Sequence, residues 1–331
     1  MSEEIQCILR NHSLTIGFFS PLLGASRLTT VGTGSAIAHH GEILQGVFPD
    51  EAGHLHRGLI TLPCSAFESV ITYWPDDSGE LRTRPTGMNK AARAARLTFE
   101  LLGQKKCGGC LTIETNVPVS LGFGSSTADV VATIRAVAAA MGVELRRAVI
   151  CRLAVAAETA SDSIVFGEQA VLFAHREGRV IEYLPGEFPS LIIVGFISSN
   201  DKPVDTLTYV PAHYDRSEIE SFRVLRGLAR KAILEQNVVL LGHVATASAR
   251  INQRYLPKRH FEELLQIAAY CDALGVQVAH SGNLMGLLLD ASDPNVTEKV
   301  AAAFKKAAEQ GFMSIHQFAV NVDVQPLRVA L

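Results

Sequence analysis

The densest chemistry in this chain lies in Pro118-Val-Ser-Leu-Gly-Phe-Gly-Ser-Ser-Thr-Ala-Asp129, where Gly122 and Gly124 precede three successive hydroxyl residues, Ser125, Ser126 and Thr127. Without a Cβ, a glycine backbone can take positive φ and come close to an anion. Upstream, Leu111 to Val119 alternates apolar and polar residues like a half-buried strand; downstream, Ala128 to Met141 is rich in strong helix formers. A loop at such a strand-to-helix turn offers the free N–H groups and positive dipole end of the helix to a phosphate. Ser126-Thr-Ala-Asp129 also satisfies a plain helix N-cap, with an acidic residue three positions after a hydroxyl. Two glycines and three hydroxyls exceed what a cap requires, so the expectation is a phosphate cradle. The loop holds no lysine, unlike a Walker A motif, and lacks the third glycine of a dinucleotide fingerprint.

Two carboxylates follow. Glu158 closes an apolar helical run and could hold Mg²⁺ together with Ser125 or Ser126, since that ion prefers a few hard oxygen ligands; otherwise it is a helix-end carboxylate on a solvated face. Asp162, in Glu158-Thr-Ala-Ser-Asp-Ser-Ile164, can orient or deprotonate a hydroxyl, or simply cap a turn. Nearer the N-terminus, Glu42 and Gln45 lie in a loop framed by Gly41 and Gly46, where they can hydrogen-bond a small polar substrate, an ammonium group suiting Glu42 best. The tandem His39 and His40 would point apart in a strand, and a structural role is the commoner one for such histidines. Cys107-Gly-Gly-Cys110 has no second Cys-x-x-Cys to complete a metal site and reads as a glycine turn before a strand.

Pro118 to Asp129 resembles the second motif of the GHMP kinase superfamily (galactokinase, homoserine kinase, mevalonate kinase), P-x-x-x-G-x-G-S-S-A, with Thr127 at the small residue after the paired serines. His40-Gly-Glu-Ile-Leu-Gln-Gly46 is similar to the first motif, and His280-Ser-Gly-Asn-Leu-Met-Gly286 to a reduced form of the third. The Gly-Glu-Ile-Leu-Gln-Gly and Ser-Ser-Thr-Ala-Asp wording looks most like the L-threonine kinases of cobalamin side-chain synthesis. The resemblance implies an ATP- and Mg²⁺-dependent kinase for an aliphatic hydroxyl, L-threonine leading and homoserine or L-serine as alternatives; a catalytically silent metabolite-binding relative is the rival. It further implies nucleotide contacts from Pro118, Leu121, Gly122, Phe123, Gly124, Ser125, Ser126 and Thr127, and metal ligation by Ser125, Ser126 and Glu158. Substrate contacts would come from His40, Glu42, Gln45, His280, Ser281 and Gly282, with Asp162 and Ser126 catalytic. One departure concerns the acids: three residues separate Glu158 from Asp162, and Thr159 stands at the proline of the threonine-kinase pattern Glu-Pro-Thr-Asp-Ser.

The elements that must position these groups read as α+β. Leu59 to Trp74 is β structure broken at Pro63; Met88 to Leu102 and Leu145 to Thr159 are helices; Ile164 to His175 and Arg179 to Leu184 form a hairpin around Glu177-Gly178. Pro185-Gly186 marks the expected boundary. Beyond it come a strand at Leu191 to Ile197, helices at Ser217 to Glu235, Val238 to Ile251 and Phe261 to Leu274, a strand at Leu284 to Leu289, a helix at Val296 to Gln310 and a strand at Phe312 to Val322. No regular βαβ alternation appears. The resemblance implies the two-domain GHMP kinase fold, with a domain like ribosomal protein S5 domain 2 over residues 1–185 and a ferredoxin-like domain over 186–331.

A chain of 331 residues, 48% hydrophobic and 19% charged, can bury the core that two domains need. Its net charge of −3 gives no reason to expect nucleic-acid binding, and Lys105-Lys106 and Arg146-Arg147 are short pairs on solvated edges. Six cysteines are too few for a disulfide scaffold. Met1-Ser-Glu-Glu4 is acidic where a signal peptide would be basic, and no apolar run reaches spanning length, so a cytoplasmic enzyme without membrane or nucleic-acid partners is expected, an oligomer being possible.

Overall fold

In the computed structural model, residues 30–104, 108–119, 121–197, 212–280 and 282–322 are described; Lys105, Lys106, Cys107 and Ser281 lie outside the described residues. A long antiparallel ribbon, β1 (Gly32–Pro49) with β2 (Leu55–Asp76), forms the spine. β3 (Leu81–Arg84) and β4 (Gly108–Thr115) extend it on one side, with α1 (Asn89–Leu101) between them in sequence. Then come α2 (Ser125–Ala140), α3 (Arg147–Glu158), a 3₁₀ turn at Ser163–Phe166 and the hairpin β5 (Gln169–Ala174) with β6 (Arg179–Glu187). The later residues supply β7 (Leu191–Ile197), α4 (Arg216–Leu234), α5 (Val238–Asn252), α6 (Phe261–Tyr270), β8 (Gly275–Val278), β9 (Leu284–Asp290), α7 (Val296–Glu309) and β10 (Met313–Val320).

The strands run in the order β10-β7-β9-β8-β1-β2-β4-β3, with β5 bridging β2 and β6. Among the described residues, only β3 pairs with its neighbour β4 in parallel; the other pairings are antiparallel. β1 meets β8 through Glu42 and Val278, so a proposed substrate residue sits where the earlier strands join the later ones.

Helix α2 fixes the motif-two loop because it lies directly on β1. Gly32 and Gly34 permit this, since a Cβ on either would stand 2.2 Å from the Ala136 carbonyl oxygen or 2.4 Å from that of Ala132. Along the buried face Val130, Val131, Ile134 and Val137 are inaccessible to water, and each such side chain stabilises the contact by about 1.5–3 kcal/mol.

Several elements differ from the sequence expectation. The Gly41–Gly46 segment is strand, part of β1, not loop. β2 runs on through Pro63, which pairs with His39 beside a register shift where Ile37 opposes Glu68 and Ala38 opposes Cys64; the irregularity accommodates a residue without an N–H. Pro185-Gly186 lies inside β6, α6 stops at Tyr270, short of Leu274, and the short β8 at Gly275–Val278 is a strand the sequence expectation does not contain. Helix α2 begins three residues early, at Ser125, with Gly124 as its N-cap at φ 70° and ψ 34° and no side-chain cap. The cap formed by Ser126 and Asp129 is therefore absent: Asp129 is buried and accepts the Ser69 hydroxyl at 2.6 Å.

Candidate active site

The left-handed Gly124 turns the chain so that Ser126 and Thr127, on the first turn of α2, each face a carboxylate from the end of α3. Ser126 Oγ donates to Glu158 Oε2 at 2.7 Å, and Thr127 Oγ1 lies 3.4 Å from Asp162 Oδ2. Both carboxylates are buried, and each keeps one buried oxygen without a hydrogen-bond partner, Glu158 Oε1 and Asp162 Oδ1. Burial pushes Glu158 up to about 7, against the hydrogen bonds of Ser126 and Thr127 and the charge of Lys90, whose Nζ lies 3.9 Å away. Burial would raise Asp162 as well, but the charge and hydrogen bond of His39 outweigh it and hold the carboxyl well below the usual range.

His39 Nε2 stands 2.9 Å from Asp162 Oδ2. Burial pulls this imidazole down, yet Asp162 and then Glu42 more than compensate, so its net shift is upward. A second pair lies alongside: His280 Nδ1 is 2.8 Å from Glu42 Oε1, while the His280 N–H donates to Glu42 Oε2 at 2.6 Å. Glu42 outweighs burial and raises His280 to about 9. The two rings stack with centroids 6.5 Å apart, and cross-distances of 4.0 Å (His39 to Glu42, His280 to Asp162) close a ring of alternating charge. Ligand atoms of His39, Glu42 and Asp162 lie within 4.8 Å of one another; with an imidazole among them the set is ill suited to Mg²⁺. His175, at the end of β5, completes this wall with its ring 5.6 Å from His280; burial, helped by the His280 charge, takes it down to about 3.

Motif three meets motif two at Gly282, where φ is 73° and a Cβ would stand 2.9 Å from Gly122 N and from the Leu121 carbonyl. Its carbonyl accepts the buried Lys258 ammonium at 2.6 Å. Pro118, Leu121, Gly122 and Ser125 are half-buried along the loop.

Four expected contacts are placed otherwise. Phe123 does not face the cradle: it is buried against Phe67, His40 and His316 and anchors the loop. His40 is wholly buried, its ring 5.5 Å from that of Phe123, and bonded to His316 Nε2 at 2.9 Å and to Gln277, so it cannot touch a substrate. Glu42 has both oxygens engaged by His280 and is not an open ammonium site. Gln45 is held through its backbone by Ser248 and Asn252 of α5 and, among the described residues, no interaction joins it to the histidine–carboxylate ring. Conversely, His39, His175, Lys90 and Lys258 enter the site without having been assigned to it. The only signal for His39 was the tandem pair itself, and both of its members pack on motif two, His39 at Gly124 and His40 at Phe123.

Solved structures share this architecture. Homoserine kinase from Cytophaga hutchinsonii superimposes with a TM-score of 0.66 at 16% identity, covering 91% of this chain and 97% of that one. The fold is thus that of the GHMP kinases, mixed in α and β. Residues 89–170, which hold α1, the motif-two loop, α2, α3 and Asp162, match the model for the GHMP kinases N terminal domain. Two L-threonine kinases are similar in sequence: that of Salmonella typhimurium is 35% identical over 184 residues, 54% of this chain and 59% of that protein. That of Citrobacter freundii is 32% identical over 183 residues, 54% of this chain and 62% of that protein. The chain thus spans about three-fifths of the length of these relatives. Among the described residues, no helix is long and apolar enough to cross a membrane.

Proposed function

We propose that this protein transfers the γ-phosphoryl group of ATP to the hydroxyl of a small amino acid, with L-threonine the leading acceptor, as a cytoplasmic enzyme. The observation that carries the reading is the pair of carboxylates hung on consecutive hydroxyls of one glycine loop, each with a free buried oxygen. Phosphoryl transfer needs this division of labour: one side neutralises phosphate, the other prepares the attacking oxygen. The likeness to L-threonine kinases supports the acceptor. The order β10-β7-β9-β8, the arrangement of a ferredoxin-like sheet, supports a two-domain description with the second domain built on β7 to β10, after β6.

Glu158 Oε1 is an orphaned, buried, hard oxygen beside a serine hydroxyl, a donor set that fits Mg²⁺. Glu158 with Ser126 and Ser125 would hold the ion, which when bound offsets the charge of the phosphate oxygens. The N–H groups of the Gly122–Ser125 turn and the dipole of α2 cradle the phosphates. Asp162 Oδ1 accepts the hydroxyl proton as the acceptor oxygen bonds to the γ-phosphorus; the bond to the β-phosphate oxygen breaks, and ADP leaves with its electron pair. The His280 imidazolium, charged across the neutral range, favours an anionic neighbour such as the acceptor carboxylate. The test is a panel of L-threonine, L-homoserine and L-serine with Mg-ATP, read by mass spectrometry. L-threonine should give phosphothreonine with the highest kcat/KM; no phosphorylated product from any member would reject the reading.

A further inference from the structure

We propose that His39 is the positioning residue that ties the nucleotide loop to Asp162, fixing one carboxylate oxygen so that the other meets the acceptor hydroxyl. This rests on the kinase reading above, in which Asp162 takes the proton.

Three contacts converge on His39. Its backbone N–H donates to the Phe123 carbonyl at 3.0 Å, fastening β1 to the motif-two loop. Its ring fills the space where a Gly124 side chain would be, with Cδ2 and Nε2 at 2.3 and 2.5 Å from an ideal Cβ. Its Nε2 grips Asp162 Oδ2 at 2.9 Å, the same oxygen that faces Thr127. Oδ1 is left buried and unpartnered. A carboxylate held by one oxygen has its second lone-pair set aimed by the first, so freeing Oδ2 would let the group swivel and lose its alignment. The same packing makes the loop and the carboxylate move as one body: a change at Gly124 reaches Asp162 through the His39 ring.

The ionisable groups facing the pair are Glu42 on β1, Glu158 at the end of α3, His175 at the end of β5 and His280 after β8. His39 is the nearest of the cationic groups to Asp162. Removing it therefore raises the Asp162 pKa, and the acid limb of the kcat profile moves to higher pH.

The experiment compares His39→Ala, His39→Asn and His39→Gln. The amide nitrogen of glutamine falls near Nε2 of the imidazole and can still grip Oδ2, whereas that of asparagine falls near Nδ1. We expect kcat to drop about 30-fold or more in the alanine and asparagine variants and to recover to within about fivefold of the natural protein in the glutamine variant. KM for Mg-ATP should stay within about threefold throughout. The acid limb of kcat should move up by about one pH unit or more in His39→Ala. Glutamine no better than alanine, asparagine as good as glutamine, or an alanine variant with unchanged kcat would each overturn the proposal. Asp162→Asn, measured alongside, separates the two ideas: wild-type kcat there removes Asp162 as proton acceptor, whereas a crippled Asp162→Asn beside a normal His39→Ala sinks the positioning role alone.

Discussion

Replacing Gly124 with alanine places a methyl group where the His39 ring now lies. Two costs follow. A non-glycine residue at φ 70° pays roughly 1–2 kcal/mol for the left-handed conformation. The ring, 2.3 Å from the new carbon, must retreat by about 1.2 Å to reach ordinary carbon contact. That motion breaks the 2.9 Å contact of Nε2 with Asp162, a buried charge-assisted hydrogen bond contributing about 1.5–3 kcal/mol. Gly124→Ala should therefore destabilise the protein by about 2.5–5 kcal/mol. In a His39→Ala background no ring is in the way, and only the backbone cost of about 1–2 kcal/mol remains. Urea denaturation of the natural protein, both single variants and the double variant gives the coupling directly, expected at about 1.5–3 kcal/mol. Equal costs of Gly124→Ala in the two backgrounds would refute the idea that the loop and the His39–Asp162 pair are one packed unit.

Other perturbations reach the remaining groups. Because Glu158 sits at about 7 and must lose its proton to bind a cation, Mg²⁺ affinity should fall about tenfold from pH 8 to pH 6, and Glu158→Gln should abolish that dependence; calorimetry showing a flat affinity would contradict it. Asp162→Asn should lower kcat by about 100-fold or more with KM for Mg-ATP unchanged, whereas a kcat within about threefold makes Asp162 an orienting group only. His40, His175 and His316 are depressed by burial, so their contribution to stability is present above the unfolded value of about 6.5 and lost as pH falls toward their folded values. For His175 the loss between pH 7 and pH 5 is about 2 kcal/mol, so a melting temperature that does not fall across that window would count against its burial as a neutral ring. His39 and His280, raised by their carboxylates, act oppositely: their contribution is full below about 6.5 and, for His280, is lost as pH climbs through about 9.

Motif two could be read from sequence because its information is local. Glycines, hydroxyls and a following helix specify their own turn, and the helices and strands around them were found to within a few residues. The proximity of Glu158 and Asp162 was legible for the same reason, Glu158 ending α3 and Asp162 lying four residues on, just before the 3₁₀ turn. What could not be read was parity and partnership along β1. Gly41, at φ 65°, and three register shifts break the alternation of that strand, so nothing local says that His39, and not His40, reaches Asp162. The buried chain of Gln277, His40 and His316 joins residues more than 200 positions apart. The space it needs comes from Gly195 and Gly286, where a Cβ would strike His40 and its partners. Such contacts are set by tertiary packing, which a single sequence does not display. Glu42 shows the same limit, since its carboxylate looked open until His280 closed over it.

The central claim is that this site moves phosphate from nucleotide to a hydroxyl amino acid. Phosphorus-31 NMR of the protein with Mg-ATP and L-threonine tests it most directly. A new phosphomonoester resonance should grow in step with ADP, one for one, and fail to grow with Asp162→Asn. ADP accompanied only by inorganic phosphate, or no consumption of ATP, would contradict it.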